Sequence, residues 1–244
     1  MKIKNKIVLI TGGAIRIGRA ITIELIKCGA EVICHYNSSE AAAQSLKKEV
    51  ENLNGNLHLV KADLSKLNPA LEIISEVISK KKGVDVLINN AAVFYKTSLE
   101  DIKEADWDKL FSINLKAPFF LSQKIGLVMK KQGYGKIINI GDTSGLNPWP
   151  GYLPYSLTKS GIISMTKGLA KALAPEVHVN CINPGPVLIP EYYNKDEINN
   201  AINKTLLKKT GSANDIVETV KFLIEGSDYI TGSSINVDGG RSLN

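Results

Sequence analysis

The sequence predicts a single α/β domain with a doubly wound parallel sheet that carries helices on both faces. Three observations support this prediction. Apolar, β-branched runs alternate along the chain with segments of helical periodicity, these runs are continuously apolar, and a glycine-rich turn joins the first run to the first helical segment. Continuously apolar strands are typical of parallel sheets that are covered on both faces, because neither face meets water.

The order of these runs predicts a sheet of seven strands. We expect strands at residues 6–10, 31–35, 57–60, 84–88, 136–140, 177–182 and 233–237, and helices at residues 16–28, 39–53, 69–80, 105–131, 152–172 and 213–224. Pro118 lies inside the fourth helix, four residues after Asn114, so it cannot donate to the Asn114 carbonyl and should open that turn. We expect an ordered water to link the freed carbonyl to Lys159.

Length and composition indicate one domain over residues 1–244. The chain has 244 residues, of which 44% are hydrophobic and 22% charged. Single cores commonly grow to about 250 residues before chains split into domains. The sequence contains no internal repeat, low-complexity tract or linker that would divide it.

The composition also argues against several classes of function. The net charge of +6 comes from dispersed lysines with one cluster at residues 80–82, and without interleaved aromatic residues this pattern does not predict nucleic-acid binding. No apolar run approaches the roughly 18 residues that a membrane span needs, and no targeting segment is evident. Three cysteines and three scattered histidines predict neither a disulfide framework nor a metal site. We therefore expect a cytoplasmic protein.

The turn after the first strand predicts a dinucleotide site. It reads Thr-Gly-Gly-Ala-Ile-Arg-Ile-Gly over residues 11–18 and opens the first helix. Gly12 allows a sharp backbone turn, and Gly18 lets the helix lie close to the sheet while its N-terminal amides face a pyrophosphate.

The second strand should deliver the residues that read the ribose of the cofactor. Sites that prefer NAD place a carboxylate about 20 residues beyond the turn. Here the stretch begins with His35 and continues through Asn37 and Ser38, with no carboxylate before Glu40. Imidazole, amide and hydroxyl groups can donate to a 2′-phosphate, so the sequence favours NADPH. Asp63 after the third strand and Asn89 to Ala92 after the fourth should lie along the rest of the cofactor.

The sequence Tyr-Ser-Leu-Thr-Lys predicts the catalytic group. Tyr155 and Lys159 are four residues apart near the start of a helix and therefore share one helix face. A nearby ammonium, together with the positive charge of an oxidised nicotinamide, should favour the phenolate and make Tyr155 a proton donor and acceptor near neutral pH.

With these motifs the chain resembles the classical short-chain dehydrogenase/reductase family over essentially its full length. The resemblance implies a Rossmann-type sheet, hydride transfer from a nicotinamide cofactor, Tyr155 as acid, Lys159 as its tuner and ribose anchor, and a homotetramer. It is carried by the glycine turn at 12–18, Asn89-Asn-Ala91, Asn114, Tyr155, Lys159 and Asn183-Pro-Gly185. The residues expected at the cofactor are Gly12, Arg16, Ile17, Gly18, His35, Asn37, Ser38, Asp63, Leu64, Asn89, Ala91, Tyr155, Lys159, Pro184 and Gly185.

Three departures from the common family pattern narrow the expected substrate. Asp142 stands where the family normally has serine, Arg16 replaces the middle glycine of the turn, and Phe94 follows the fourth strand. Together they resemble the pteridine reductases, a subgroup that holds a pterin between the nicotinamide and a phenylalanine. This resemblance predicts a small-molecule substrate, a pterin or folate whose ring C=N bond is reduced with NADPH. The expected catalytic residues are Asn114, Asp142, Tyr155 and Lys159, and the expected substrate contacts are Arg16, Phe94, Asp142, Tyr155, Pro186 and Leu188.

Two other functions stay open at this stage. One is a carbonyl reductase that acts on a 3-ketoacyl thioester or another ketone, although a negative charge at Asp142 would oppose the developing alkoxide. The other is a non-catalytic NADP-binding sensor, against which the intact Asn114, Tyr155 and Lys159 argue.

Residues 186–209 are expected to form a substrate lid. Three prolines, at positions 184, 186 and 190, fix the path of the chain after the sixth strand, and the following segment is polar with few apolar anchors.

Overall fold

The computed structural model describes residues 1–81, 83–189 and 193–244, and it confirms the predicted fold class. Seven parallel strands form one sheet in the order β3-β2-β1-β4-β5-β6-β7. Each strand lies within two residues of its prediction. Their bounds are β1 (Ile7–Thr11), β2 (Glu31–Tyr36), β3 (Asn56–Lys61), β4 (Val86–Asn89), β5 (Gly135–Ile140), β6 (Val177–Pro184) and β7 (Ser234–Val237).

Helices cover both faces of the sheet, and alternate strand residues supply the two cores. In β1, Val8 and Ile10 belong to the core on the side of α1, α2 and α8, whereas Leu9 belongs to the core under α3, α5 and α6. The bounds are α1 (Arg16–Lys27), α2 (Glu40–Asn52), α3 (Leu67–Lys80), α4 (Glu104–Phe111), α5 (Ala117–Gln132), α6 (Leu153–Leu173), α7 (Lys195–Asn203) and α8 (Ala213–Glu225).

The strand order fixes where a ligand can bind. The chain runs outward from β1 to β3 and then returns to place β4 beside β1. The loops after β1 and β4 therefore leave the sheet in opposite directions and open a crevice at the carboxyl ends of these two strands.

The helical segment predicted over residues 105–131 is confirmed, but it contains an irregular turn. A π-helical turn at Ser112–Lys116 separates α4 from α5, and the Ala117 amide donates to the Ser112 carbonyl five residues earlier. Pro118 lies in the first turn of α5, where its missing N–H costs nothing. The opened turn that Pro118 predicted is present, while the water expected at the Asn114 carbonyl stays a prediction.

Within the described part of the chain, no helix is both long enough and apolar enough to cross a bilayer. Lys82, the last member of the lysine cluster noted in the sequence, lies outside the described residues.

A buried lysine joins the sheet to the end of α8. Lys136 in β5 is 4% exposed, and its ammonium donates to the carbonyls of Leu223 and Ile224 at 3.1 and 2.9 Å. It also pairs with Asp228 at 2.8 Å. These carbonyls belong to the last turn of the helix, which has no further intrahelical donors.

We expect Lys136→Met to lower the free energy of unfolding by about 1–3 kcal/mol, because it leaves two buried carbonyls without a donor. Chemical denaturation at one fixed protein concentration measures the change. Lys221→Met is the matched control on the same helix, since it removes only the partly exposed ion pairs with Glu24 and Glu218 and should cost less than about 1 kcal/mol. Equal losses for the two variants would contradict this account.

Candidate active site

The loops after strands β1 to β6 surround a cleft of about 840 Å³. Most of the predicted site residues line this cleft, and Asn89 and Asn114 do not. Those that line it are Gly12, Arg16, Ile17, Gly18, His35, Asn37, Ser38, Asp63, Leu64, Ala91, Phe94, Asp142, Tyr155, Lys159, Pro184, Gly185, Pro186 and Leu188.

The glycine turn is built by close backbone approach. Gly12 has a φ of +63°, and a Cβ there would lie 2.9 Å from the Cα of Ala91. A Cβ at Gly18 would overlap the carbonyl oxygen of Gly12 and come within 2.7 Å of the Asn90 amide nitrogen. No side chain caps the N-terminus of α1. Its first amides therefore stay available to a bound pyrophosphate, as the sequence predicts.

Arg16 also adopts a left-handed backbone, with a φ of 51°. Its exposed side chain reaches across the cleft, and its guanidinium donates to the carbonyl of Leu188 in the loop after β6. Arg16 therefore connects the glycine turn to the start of the predicted lid.

The prediction that Asn89 contacts the cofactor does not fit the structure. Asn89 is buried, and its amide donates to Ser122 at 2.9 Å and to Asn139 at 2.8 Å, under the sheet. The neighbouring Asn90 faces the cleft and donates to the carbonyls of Thr11 and Gly12 at 2.9 and 3.0 Å. Successive residues of an extended chain point to opposite sides, so only one of the two asparagines can reach the turn.

The predicted contact from His35 to a 2′-phosphate is also wrong for this geometry, because both ring nitrogens are engaged. Nδ1 accepts from the Gly12 amide at 3.3 Å, and Nε2 lies 3.0 Å from the Ala62 carbonyl, to which it donates. Burial lowers the pKa of His35, which favours the neutral ring that this pair of bonds requires. His35 therefore stabilises the glycine turn through its hydrogen bond with the Gly12 amide.

The end of β2 nevertheless fits a phosphate better than a ribose hydroxyl. Asn37 and Ser38 are exposed at the rim of the cleft. Glu40, the first carboxylate after the strand, accepts from Lys61 at 2.7 Å and from the Tyr36 hydroxyl at 2.9 Å, and it does not line the cleft. Lys61 first and Tyr36 second lower the pKa of Glu40 through these bonds. The Glu40 carboxylate is thus paired outside the lining of the cleft.

Asp63 and Leu64 line the cleft beyond β3, where the adenine is predicted to lie. The Asp63 carboxylate accepts from the hydroxyl of Ser65 at 2.7 Å and from its amide at 3.0 Å, both through Oδ1. The side-chain bond from Ser65 lowers the pKa of Asp63, so the group is an ionised hydrogen-bond acceptor.

Asp142 and Tyr155 form the polar centre of the cleft. The Tyr155 hydroxyl donates to Oδ2 of Asp142 at 3.0 Å, and Oδ1 of Asp142 accepts from the Ser144 amide at 2.7 Å. Burial raises the pKa of Asp142. Burial and then the negative charge of Asp142 raise the pKa of Tyr155 well above its ordinary value.

Lys159 is not hydrogen-bonded to Tyr155, and its expected effect on the phenolate, together with an oxidised nicotinamide, stays a prediction. The Lys159 ammonium donates to the Ile140 carbonyl at 2.8 Å and lies 5.6 Å from the centroid of the Tyr155 ring. Burial lowers the pKa of Lys159, against the opposing charge of Asp142. Burial and Asp142 thus favour the phenol form of Tyr155, the form that can donate a proton.

Asn114 lies beside the cleft rather than in it. Its side-chain oxygen Oδ1 accepts from the backbone amide of Val93 at 2.8 Å, and its side-chain nitrogen Nδ2 donates to the backbone carbonyl of Val93 at 2.9 Å. These bonds fix the loop that carries Phe94.

Aromatic rings form one wall of the cleft. Phe94 stacks on Tyr152 with a centroid distance of 4.6 Å and forms a T-shaped pair with Tyr155 at a centroid distance of 4.8 Å. Trp149 meets Tyr152 edge to face at 6.0 Å. The sequence analysis missed Tyr152, although it stands only three residues before Tyr155.

The predicted lid, residues 186–209, contains a helix that the sequence did not indicate. Asn194 and Glu197 form a capping box at the start of α7, and none of the α7 residues is buried. Pro190, which was expected to fix the loop, lies outside the described residues, as do positions 191 and 192. Sequence reasoning also missed Tyr193, Lys204 and Arg241, which line the cleft from distant parts of the chain.

Comparisons with known proteins show what this chain is similar to. A family model for short chain dehydrogenases matches residues 6–198. A 3-oxoacyl-[acyl-carrier-protein] reductase from Thermotoga maritima is 34% identical over 244 residues, with 98% of this chain and 99% of the relative covered.

Two solved structures share the fold over nearly the whole chain. The alternative dihydrofolate reductase 1 of Brucella suis, in complex with NADP, superposes with a TM-score of 0.91 at 31% identity and covers 100% of this chain and 97% of that chain. A blue fluorescent protein from a metagenomic library, in complex with NADPH, gives a TM-score of 0.90 at 30% identity, with 99% of each chain covered.

We expect Gly18→Ala to weaken NADPH binding at least about tenfold, because the added Cβ displaces the Gly12 carbonyl and opens the turn. Fluorescence titration with NADPH measures the affinity. Gly168→Ala in α6 is the matched control, since an added Cβ there meets no atom within 4 Å. An affinity in Gly18→Ala equal to that of Gly168→Ala would show that the turn tolerates the methyl group.

Proposed function

Because the chain belongs to the short-chain dehydrogenase family and uses NADP(H), we propose that it is a reductase that adds a hydride and a proton across a ring C=N bond of a pterin or folate. The observation that carries this proposal is the partly buried hydrogen bond between Tyr155 and Asp142. A carboxyl group at this position can accept from the ring N–H and amino groups of a pterin, which a serine hydroxyl does less well.

The residues present fit the cofactor. The uncapped N-terminus of α1 and the close approach at Gly12 and Gly18 leave a cradle that a Cβ would fill, which suits a pyrophosphate. We assign Asn37 and Ser38 to the 2′-phosphate and Asp63 to the adenine. Tyr155, Lys159, Pro184 and Gly185 line the far end of the cleft, where they would hold the nicotinamide end.

The reaction needs a hydride, which NADPH supplies when bound, and a proton, which this chain must supply. The raised pKa of Tyr155 keeps the proton on Oη until a basic ring nitrogen accepts it. Asp142 is hydrogen-bonded to the same oxygen, and its own raised pKa lets it return a proton to Tyr155. The carbon gains the hydride and the nitrogen the proton, so C=N becomes CH–NH.

Phe94 supplies the surface on which a flat ring would bind. Its ring lies 4.8 Å from that of Tyr155, so a heterocycle stacked on Phe94 would lie within reach of the phenol. Arg16, Pro186 and Leu188 border the same end of the cleft and complete the proposed substrate contacts.

The second candidate function is reduction of a 3-oxoacyl thioester, and the Thermotoga relative favours it. Asp142 argues against it, because its carboxyl group becomes negatively charged whenever it gives its proton to Tyr155, and that charge would lie beside a developing alkoxide. A non-catalytic NADP-binding sensor is disfavoured by the assembled pair of Tyr155 and Asp142, which a binding module has no need to bury.

We further propose that the protein is a cytoplasmic homotetramer. All three cysteines are free, which suits a reducing compartment. Apolar side chains are exposed on two surfaces, which would be covered by neighbouring subunits. These are Phe119, Leu127 and Val128 on α5, and Phe222, Tyr229 and Leu243 near the C-terminus.

We expect Asp142→Ser to lower kcat/KM for dihydrobiopterin and dihydrofolate at least about tenfold, without a comparable loss on a 3-oxoacyl thioester. NADPH oxidation with each substrate measures this, and Asp101→Ser, outside the cleft, is the control. Faster turnover of the thioester than of any pterin by the parent protein would favour the second candidate function.

The pH dependence of kcat/KM tests the role of Asp142 independently. Because burial raises the pKa of Asp142, its carboxyl keeps a proton to higher pH than an ordinary aspartate. If that proton feeds Tyr155, kcat/KM for a dihydropterin falls as pH rises through this raised pKa, and the fall is absent in Asp142→Ser.

We expect Tyr155→Phe to reduce turnover at least about a hundredfold while NADPH still binds, because the variant removes the proton at Oη and little else. Turnover and NADPH fluorescence titration measure the two effects. Tyr95→Phe is the matched control, since the Tyr95 hydroxyl donates to the Asp106 carbonyl away from the cleft. Turnover in Tyr155→Phe similar to that of Tyr95→Phe would assign the proton to another group.

A further inference from the structure

A cationic residue from the C-terminal segment reaches the substrate end of the cleft. Arg241 lies near the end of the chain, beyond β7, yet it lines the cleft together with Tyr152 and Tyr193. Its side chain is only partly exposed. The cofactor assignment and the proton path described above make no use of it.

Arg241 is held in place by its neighbours on both sides. The Asp238 carboxylate accepts from the Gly240 amide at 2.9 Å and from the Ser242 amide at 2.8 Å, which closes a turn around Arg241. The Asn147 amide donates to the Ser242 carbonyl at 2.8 Å. The position of Arg241 is therefore fixed before a substrate arrives.

This turn is also packed against the cofactor end of the cleft. The Gly185 amide donates to the Val237 carbonyl at 3.0 Å, and a Cβ at Gly185 would lie 2.6 Å from the Cα of Asp238. The loop after β6 and the C-terminal turn are therefore in contact through backbone atoms. This contact fixes the backbone from which the Arg241 side chain extends.

The Arg241 guanidinium has a fixed orientation, but most of its N–H donors have no acceptor among the residues that the structure describes. It lies over the Trp149 ring at 5.0 Å from the centroid, and Nη1 donates to the Ala201 carbonyl of α7 at 3.3 Å. Within residues 1–81, 83–189 and 193–244 no carboxylate is within ion-pair distance of it, although the charges of Asp142 and Asp238 act on it, and burial lowers its pKa. Arginine has five N–H donors in a planar fork that matches a carboxylate, so most of this capacity stays open.

A row of aromatic rings connects this guanidinium to the proton donor. Arg241 covers Trp149, Trp149 meets Tyr152, and Tyr152 stacks on Phe94, which contacts Tyr155. A substrate whose reacting ring lies at Phe94 would extend along this row and reach Arg241 with the far end of its tail.

The charge along the exposed lining of the cleft suits an anionic tail. Lys96 and Lys204 are exposed and line the cleft with Arg241, against one exposed carboxylate there, that of Glu197. Asp142 also lines the cleft, and its charge and that of Asp238 act on Arg241, so the attraction for a carboxylate rests on Lys96, Lys204 and the open N–H donors of Arg241.

We propose that Arg241 is a specificity-determining residue that binds a carboxylate at the end of the substrate's tail. It would select folate-type substrates, in which an aromatic group joins the pterin to a carboxylate, over pterins with a short, uncharged side chain. This inference rests on the proposed function, and it goes beyond it by naming the part of the substrate that is recognised.

The test compares two substrates that differ in the tail. In Arg241→Met, the ratio of kcat/KM for dihydrofolate to kcat/KM for dihydrobiopterin should fall about tenfold or more, mainly through the KM for dihydrofolate. Arg241→Lys should restore part of the ratio, because it keeps the charge without the fork. Lys171→Met, an exposed lysine of α6 outside the cleft, is the control for loss of one positive charge.

Equilibrium binding separates this inference from the proposed function. Oxidised folate and oxidised biopterin are titrated into the NADP-loaded parent and into Arg241→Met, with no turnover required. Weaker folate binding in the variant, without an equal loss for biopterin, supports the inference even if neither dihydropterin is reduced, in which case the proposed function fails alone. An unchanged ratio, an equal loss for both pterins, or a loss confined to a 3-oxoacyl thioester would overturn the inference.

Discussion

The hydrogen bonds that join the loop after β1 to the loop after β4 are the constraint on which the site depends. The Thr11 hydroxyl accepts from the amides of Asn90 and Ala91 at 3.0 Å each, while Asn90 returns two bonds to the backbone of the glycine turn. This tie fixes both loops that leave the switch point of the sheet. Asn114 then holds Val93 in the same loop, so the position of the aromatic wall follows from a contact made at the sheet.

Burial sets the chemistry at the centre of this frame. The same low-dielectric surroundings raise the pKa of Asp142 and Tyr155 and lower that of Lys159, so each of the three groups is pushed toward its neutral form. One hydrogen bond joins the acid to the phenol, and a separate backbone carbonyl holds the ammonium. The acid and the phenol can therefore share a proton, while Lys159 is bonded to a different partner.

The sheet and most of the cleft could be predicted because they follow from local patterns. Apolar β-branched runs, a glycine turn and a four-residue spacing are visible in short windows of sequence. The split between α4 and α5 depends on one backbone bond that reaches back five residues, and α7 buries no residue, so neither leaves an apolar pattern. The choice between Asn89 and Asn90 depends on which side of a strand faces the turn. Arg241 reaches the cleft only through the tertiary fold, which no local pattern records.

The stacking of Phe94 on Tyr152 has a stereochemical consequence. The two rings are parallel within 3°, so one face of Phe94 is already covered and only the other can receive a flat heterocycle. A prochiral carbon held against a single fixed face presents the same side to the incoming hydride in every catalytic cycle. Where reduction under the proposed function creates a stereocentre, the product should be a single enantiomer at that carbon.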